Sequence, residues 1–310
     1  MRILVTNDDG VEAPGLAALA RSLVRWAERS GADGPGTGHE IVVMAPSTNY
    51  SGAGAAVGSV TDGTTITYQR ASVEGASRVE AYGLDASPAL SVIAGALGAV
   101  GPKPDLVLSG INHGVNVGRS VLHSGTVGAA LTASQLGIRA MAVSLRAGAV
   151  TQPWESAAEL AVALIPVLAA APERTVLNLN VPALPLEEIR GVRWARVSGA
   201  GLIKSARGGG TWVAPNPEEM EGPAAAEAAR SVMEGSPEDK GEIVLTVGSP
   251  FPHSGDLGMA EAATEDATLV AQGFAALTAL RGPRAEEDAD LLAQVDGGLE
   301  GALEGFAFAG

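Results

Sequence analysis

Over its first 180 or so positions the chain alternates short apolar runs with amphipathic stretches, the pattern of a mostly parallel α/β sheet. Ile3-Leu4-Val5 has the β-favouring, unbroken apolar character of a strand buried on both faces. Ile41 to Ala45 repeats it, and Asp105 to Ser109, Ala140 to Leu145 and Val176 to Val181 read as further strands of the parallel sheet. Pro14 to Ser30 places Leu16, Leu19, Ala20, Leu23, Val24 and Ala27 on one helical face, so the chain opens with a right-handed βαβ unit. Thr64 to Arg70 and Val79 to Leu84 alternate like a small antiparallel pair. Pro88 to Val100, ended by Pro102 and Pro104, and Gly128 to Leu136 read as helices of small residues. Glu155 to Ala170 reads as a helix that Pro166 either bends or ends early.

Beyond Gly191 the pattern changes. Val192 to Val197 alternates, Gly208-Gly209-Gly210 predicts a hinge or tight turn, Glu242 to Val247 predicts a strand, and Thr264 to Leu280 a helix. Gly31 to Gly38 reads as an exposed loop, and 215–241 is rich in Pro, Glu, Gly and Ala. The expected architecture is a three-layer α/β/α, Rossmann-like core over residues 1–190. An antiparallel arm and a C-terminal helix follow over 191–282, and an acidic, flexible tail over 283–310.

Composition narrows the function. With 46% hydrophobic residues the 310-residue chain has ample material for a core, and no apolar run is long enough to span a membrane. A formal charge of −15 argues against a nucleic-acid-binding surface, though not against a small phosphorylated substrate beside a bound cation. The absence of cysteine excludes disulfides, thiolate metal sites and a Cys nucleophile. Met1-Arg2 runs straight into the first strand without a signal-like segment, so the expectation is a cytoplasmic protein without a membrane partner.

The candidate chemistry lies in three loops at the carboxyl edge of the sheet, where parallel α/β folds bind ligands. In Asn7-Asp8-Asp9-Gly10, two adjacent carboxylates repel unless a cation or strong donors neutralise them, so the turn is either a hard-metal site or an acidic helix cap. Ser47 to Gly52 adds hydroxyls, and Asn112 to Thr126 adds Asn oxygens, His113, His123 and glycines. Ser124-Gly125-Thr126 opens a helix, where it serves either as a phosphate site on free amides or as an ordinary N-cap. Each histidine either donates to a phosphoryl group or merely bonds the backbone. Arg119 reads as a surface charge rather than a phosphate clamp.

Taken in order, Asn7-Asp8-Asp9-Gly10-Val11, Ala13-Pro14-Gly15, Ala45-Pro46, Ser51-Gly52, Ser109-Gly110-Ile111-Asn112, Gly114, Asn116, Gly118 and Ser124-Gly125-Thr126-Val127 resemble the SurE family of survival-protein nucleotidases. Gly101-Pro102-Lys103-Pro104-Asp105 and Leu177-Asn178-Leu179-Asn180-Val181-Pro182 add to the match, which is dense over 1–182 and loose beyond. The resemblance implies that Asp8, Asp9, Ser51 and Asn112 hold one divalent ion per subunit, Mg²⁺ or Mn²⁺. It further implies that Asn116 and Ser124 to Thr126 surround a phosphate, and that a swapped arm and C-terminal helix build homodimers or homotetramers. The chain departs from the family at His123, where many members carry Tyr, at Thr132, where an acid often stands, and at Ser87-Pro88-Ala89-Leu90-Ser91.

The expected function is therefore a metal-dependent phosphomonoesterase acting on nucleoside 5′-monophosphates, with the 3′-monophosphates as a second substrate class, and with Asp8 or Asp9 orienting or deprotonating water. Rival readings are a hydrolase of polyphosphate or other phosphoesters on the same scaffold, and a silent metal-binding homologue.

Overall fold

The computed structural model describes residues 1–30, 38–148, 151–199, 203–209, 242–247, 249–251 and 264–282. Strand β1 (Arg2–Thr6) leads through helix α1 (Pro14–Arg29) to β2 (Glu40–Pro46). The pair β3 (Tyr68–Ala71) and β4 (Glu80–Leu84) precedes α2 (Pro88–Ala96). The core continues with β5 (Leu106–His113), α3 (Gly125–Gln135), β6 (Arg139–Leu145), α4 (Trp154–Ala163), α5 (Ile165–Ala170) and β7 (Val176–Val181). Then come β8 (Val192–Trp194), β9 (Ile203–Gly209), β10 (Glu242–Val247), helix α6 (Asp266–Ala271) and β11 (Ala275–Leu280).

Nine of these strands form one sheet in the order β3-β4-β2-β1-β5-β6-β7-β11-β8. From β4 to β7 every pairing is parallel, and β3 and β11 join antiparallel at either side. On one face Leu16, Leu19 and Leu23 of α1 and Ala157 and Ala161 of α4 pack on Ile3, Val5, Leu108 and Val143. On the other, Val92 of α2 and Val127, Ala130 and Ala133 of α3 cover Leu4, Val42, Val107 and Ala142. The small side chains of α3 let it lie close to the sheet, which brings its N-terminus to the sheet's carboxyl edge. This is the three-layer α/β/α architecture expected.

Several boundaries differ from expectation for identifiable reasons. Helix α2 stops at Ala96, before the prolines, because Gly98 takes a left-handed φ of +92° just past the Leu97 cap. The strand expected to end at Ser109 continues through His113, so part of the predicted polar loop is strand. The helix expected over Glu155 to Ala170 breaks at Leu164, and Pro166 sits in the first turn of α5, where its missing N–H costs nothing.

The C-terminal helix expected over Thr264 to Leu280 is corrected: only Asp266–Ala271 is helical. Gly273, at φ +84°, ends it, and Ala275–Leu280 returns to the core as a strand antiparallel to β7. The turn expected at Gly208-Gly209 is corrected likewise. Both residues lie in β9 and pair with Ile243 and Glu242 of β10, in a separate two-stranded antiparallel sheet. Most of the Gly31–Gly38 loop, the stretch 215–241 and the tail 283–310 lie outside the described residues. Among the described residues no helix is long and apolar enough to cross a membrane.

Candidate active site

The turn after β1 is fixed by its own first residue. Buried Asn7 donates from Nδ2 to the Gly10 carbonyl (2.8 Å) and accepts at Oδ1 from the Gly10 amide (3.2 Å), locking an Asx-type turn that projects Asp8 and Asp9 from the strand end. The Tyr50 amide donates to the Asp8 carbonyl (2.7 Å), which pulls the loop after β2 against the first turn. The Gly54 amide donates to the His123 carbonyl (3.0 Å) and ties that loop to the entrance of α3. The Gly114 amide donates to the Leu145 carbonyl (2.8 Å), fastening the loop after β5 to the end of β6.

These ties bring the predicted residues together. A cleft of about 400 Å³ is lined by Asp8, Ser51, Asn112, His113, Asn116, His123 and Ser124. Asp9 faces an adjoining cavity of about 650 Å³ that also touches His113 and Trp154. Gly125 and Thr126 do not line the cleft and stand directly behind Asp8. Arg119 is exposed, as expected of a surface charge.

Asp8 is 2% exposed and its carboxylate accepts a hydrogen bond from the Thr126 hydroxyl. A Cβ added at Gly125 would lie 2.7 Å from the Asp8 Cβ and 2.9 Å from Oδ2, so the glycine is what lets the carboxylate sit against the helix start. Burial pushes the Asp8 carboxyl above its ordinary pKa and Asp9 adds to the rise, while the Thr126 hydroxyl and nearby backbone amides oppose it. A charge this disfavoured calls for a counter-charge.

Asp9 accepts at Oδ2 from the His113 amide (3.2 Å) and at Oδ1 from Asn49 (3.4 Å). Asn112 spends one N–H on the Gly114 carbonyl (2.6 Å), which turns its amide while Oδ1 has no hydrogen-bond partner among the described residues. Ser51 is exposed, with its amide held by Asn49 Oδ1 (2.8 Å). Two carboxylates, an amide oxygen and a hydroxyl form a hard, all-oxygen donor set, fitting Mg²⁺ or Mn²⁺ better than softer ions. Among the described residues no group of three His, Cys, Asp or Glu side chains is placed for a metal, so a cation here would depend on the neutral oxygens of Ser51 and Asn112.

Asn116 is held on three sides. Its amide donates to Asn180 Oδ1 (2.7 Å), its Nδ2 to Ser144 Oγ (2.8 Å), and its carbonyl accepts from Asn178 (2.9 Å) and Asn180 (3.1 Å). Among the described residues one side-chain N–H and Oδ1 have no partner and remain for a ligand. Ser124 caps α3 by accepting from the Val127 amide (3.1 Å), yet keeps its own proton to donate. It is therefore both the N-cap and a cleft residue. The Thr126 hydroxyl, expected near phosphate, is engaged with Asp8 instead.

Arg146 and Phe251 also line the cleft and were not singled out from sequence. Arg146 carried one legible signal, since it directly follows a strand that ends at the functional edge. Phe251 carried none. Asp266, wholly buried, also escaped notice: it accepts from the Gly118 amide (3.0 Å) and the Ser198 amide (3.0 Å), and so braces the loop that leads into α3.

Comparison with known proteins gives the family and the fold. The family model described as "Survival protein SurE" matches residues 3–202. The chain is 40% identical to the "5'/3'-nucleotidase SurE" of Cronobacter sakazakii over 198 residues, 63% of this chain and 69% of that protein. It is 39% identical to the "5'-nucleotidase SurE" of Nitratidesulfovibrio vulgaris over 197 residues, 62% of this chain and 71% of that protein. The crystal structure of the SurE protein from Aquifex aeolicus superposes with a TM-score of 0.66 at 25% identity, covering 97% of this chain and all of that one.

Proposed function

The chain belongs to the SurE family, and from that premise we propose that it is a metal-dependent nucleotidase, hydrolysing nucleoside 5′-monophosphates to nucleoside and phosphate. The observation that carries the proposal is the gathering of Asp8, Ser51, Asn112, Asn116 and Ser124 around one cleft beside the N-terminus of α3. Relatives named as 5′- and 5′/3′-nucleotidases support the substrate class.

Asp8, Asp9, Ser51 and Asn112 would hold one divalent cation, Mg²⁺ or Mn²⁺. When bound it would supply positive charge at the phosphoryl oxygens and acidify a water for attack. The protein's own groups do the rest. Ser124 and Asn116 donate to the equatorial oxygens of phosphorus, where charge accumulates as the bond to the leaving oxygen stretches. Their positions are set beforehand, Ser124 by its cap and Asn116 by Asn178, Asn180 and Ser144, so little reorganisation accompanies the reaction. Asp9, less buried than Asp8 and reaching the adjoining cavity, is the better placed of the two to orient water or take its proton. His113 and His123 are exposed where they line the cleft and would donate to the leaving group.

The test is phosphate release from a panel of nucleoside 5′- and 3′-monophosphates and polyphosphate, with Mg²⁺, with Mn²⁺ and with EDTA. Metal-dependent release from 5′-monophosphates is expected, together with its loss in Asp9→Ala. Full activity in EDTA or in that variant would defeat the assignment. Assembly into homodimers or homotetramers through the β9–β10 arm, and a cytoplasmic location, complete the proposal.

A further inference from the structure

No residue given a role in the proposed reaction carries a permanent positive charge, yet the proposed substrate is an anion and the chain carries a net charge of −15. One permanently cationic side chain lines the cleft among the described residues, that of Arg146. Its direction follows from β6. Val143 and Leu145 point into the core under α1 and α4, whereas Ala142 points to the face covered by α2 and α3. Side chains alternate along a strand, so Ser144 and then Arg146 follow Ala142. Ser144 confirms the direction by accepting from Asn116. The Arg146 amide donates to the Val181 carbonyl (2.9 Å), which carries the ladder one residue past β6 and keeps the alternation. Arg146 therefore projects on the side of Asn116 and the N-terminus of α3.

The guanidinium lies over the Phe251 ring, 4.1 Å from its centroid, and has no ion pair or side-chain hydrogen bond among the described residues. Stacking occupies the face of the guanidinium and leaves its N–H donors at the edge, where they match the oxygens of a phosphoryl group. We propose that Arg146, braced by Phe251, is an anion-recognition residue of the cleft that contacts phosphoryl oxygens of the substrate. Phe251, in the short described stretch 249–251 after β10, thereby becomes part of the phosphate site. This deepens the nucleotidase reading and rests on it for the substrate's identity.

The test is titration of inorganic phosphate into the Mg²⁺-loaded protein, alongside steady-state kinetics with AMP. Arg146→Gln should weaken phosphate binding and raise KM for AMP in parallel, by about 10- to 100-fold, the loss expected for a hydrogen bond to a charged group. Inhibition by adenosine, which lacks the phosphoryl group, should not change. Arg146→Lys should recover part of the loss, and Phe251→Ala should weaken phosphate binding several-fold with Arg146 intact. Unchanged phosphate affinity in folded Arg146→Gln overturns the proposal. If that variant does not fold, unchanged affinity in both Arg146→Lys and Phe251→Ala does so. Phosphate binding that depends on Arg146 without turnover of any nucleotide would sink the nucleotidase reading and leave this contact standing.

Discussion

Replacing Thr126 with Val tests how the acidic turn is held. The change removes the hydroxyl that donates to Asp8 and keeps the shape of the side chain. Thr126 is 0% and Asp8 2% exposed, so water cannot substitute for the lost donor. A hydrogen bond to a charged group is worth about 1.5–3 kcal/mol, and its loss inside a fold is felt in full. In EDTA the variant should melt on the order of 5 °C below the parent, at about 2–4 °C per kcal/mol for a domain of this size. Isothermal titration should show Mn²⁺ binding at least tenfold weaker, the usual effect of deleting a group that orients a metal ligand. Thr126→Ser, which keeps the hydroxyl, should bind Mn²⁺ close to the parental affinity. Equal melting temperatures and equal Mn²⁺ affinity in Thr126→Val and the parent would refute the idea that Thr126 fixes Asp8.

Gly125→Ala should cost on the order of 100-fold in kcat/KM with the fold retained by circular dichroism, because the new Cβ displaces the Asp8 side chain; parental kinetics would contradict this. Asp266→Ala leaves the buried amides of Gly118 and Ser198 unpaired and should lower stability by about 3 kcal/mol in urea titrations, at 1–3 kcal/mol per orphaned group. The hydrogen bond from Arg25, helped by Ser22, holds the Glu159 carboxyl below its ordinary pKa. The stability it confers is therefore present above the unfolded glutamate value of about 4.3 and is lost as pH falls through the lowered folded value. Both side chains are partly exposed, so Glu159→Gln should destabilise by under about 1 kcal/mol at pH 7, with the difference closing in acid. A gap that widened in acid would reverse the assigned sign.

What the sequence disclosed was whatever depends on neighbours along the chain. Ile3 to Val5 and Ile41 to Ala45 are strands because a strand covered by helices on both faces is apolar along its length, a demand visible in a few residues. Asn7, Ser51, Asn112 and Ser124 each stand within a few positions of a strand's carboxyl end or a helix start, so topology alone assembles them. The segment 264–280 misled because Ala276 and Ala279 favour helices in isolation, whereas antiparallel pairing with β7 decides their state. Gly208 and Gly209 look like a turn until β10 supplies partners. Arg146 with Phe251, and Asp266 with Gly118, join residues far apart in sequence, and no local pattern encodes such contacts.

The two carboxylates of the first turn, equivalent in the sequence, have unequal surroundings in the fold. Asp8 is enclosed between β1 and the start of α3, pinned by Thr126 and given room by Gly125, so its position is fixed and its charge is disfavoured until something positive arrives. Asp9 is partly exposed, held by the His113 amide and a longer contact from Asn49, and faces a second cavity. A group that anchors a cation gains from immobility, because ordering it beforehand removes that cost from binding. A group that exchanges a proton with water needs access to solvent and freedom to shift by fractions of an ångström. The fold meets the first requirement at Asp8 and the second at Asp9. On the proposed reading Asp8 is the fixed ligand, and proton transfer, where an aspartate performs it, falls to Asp9.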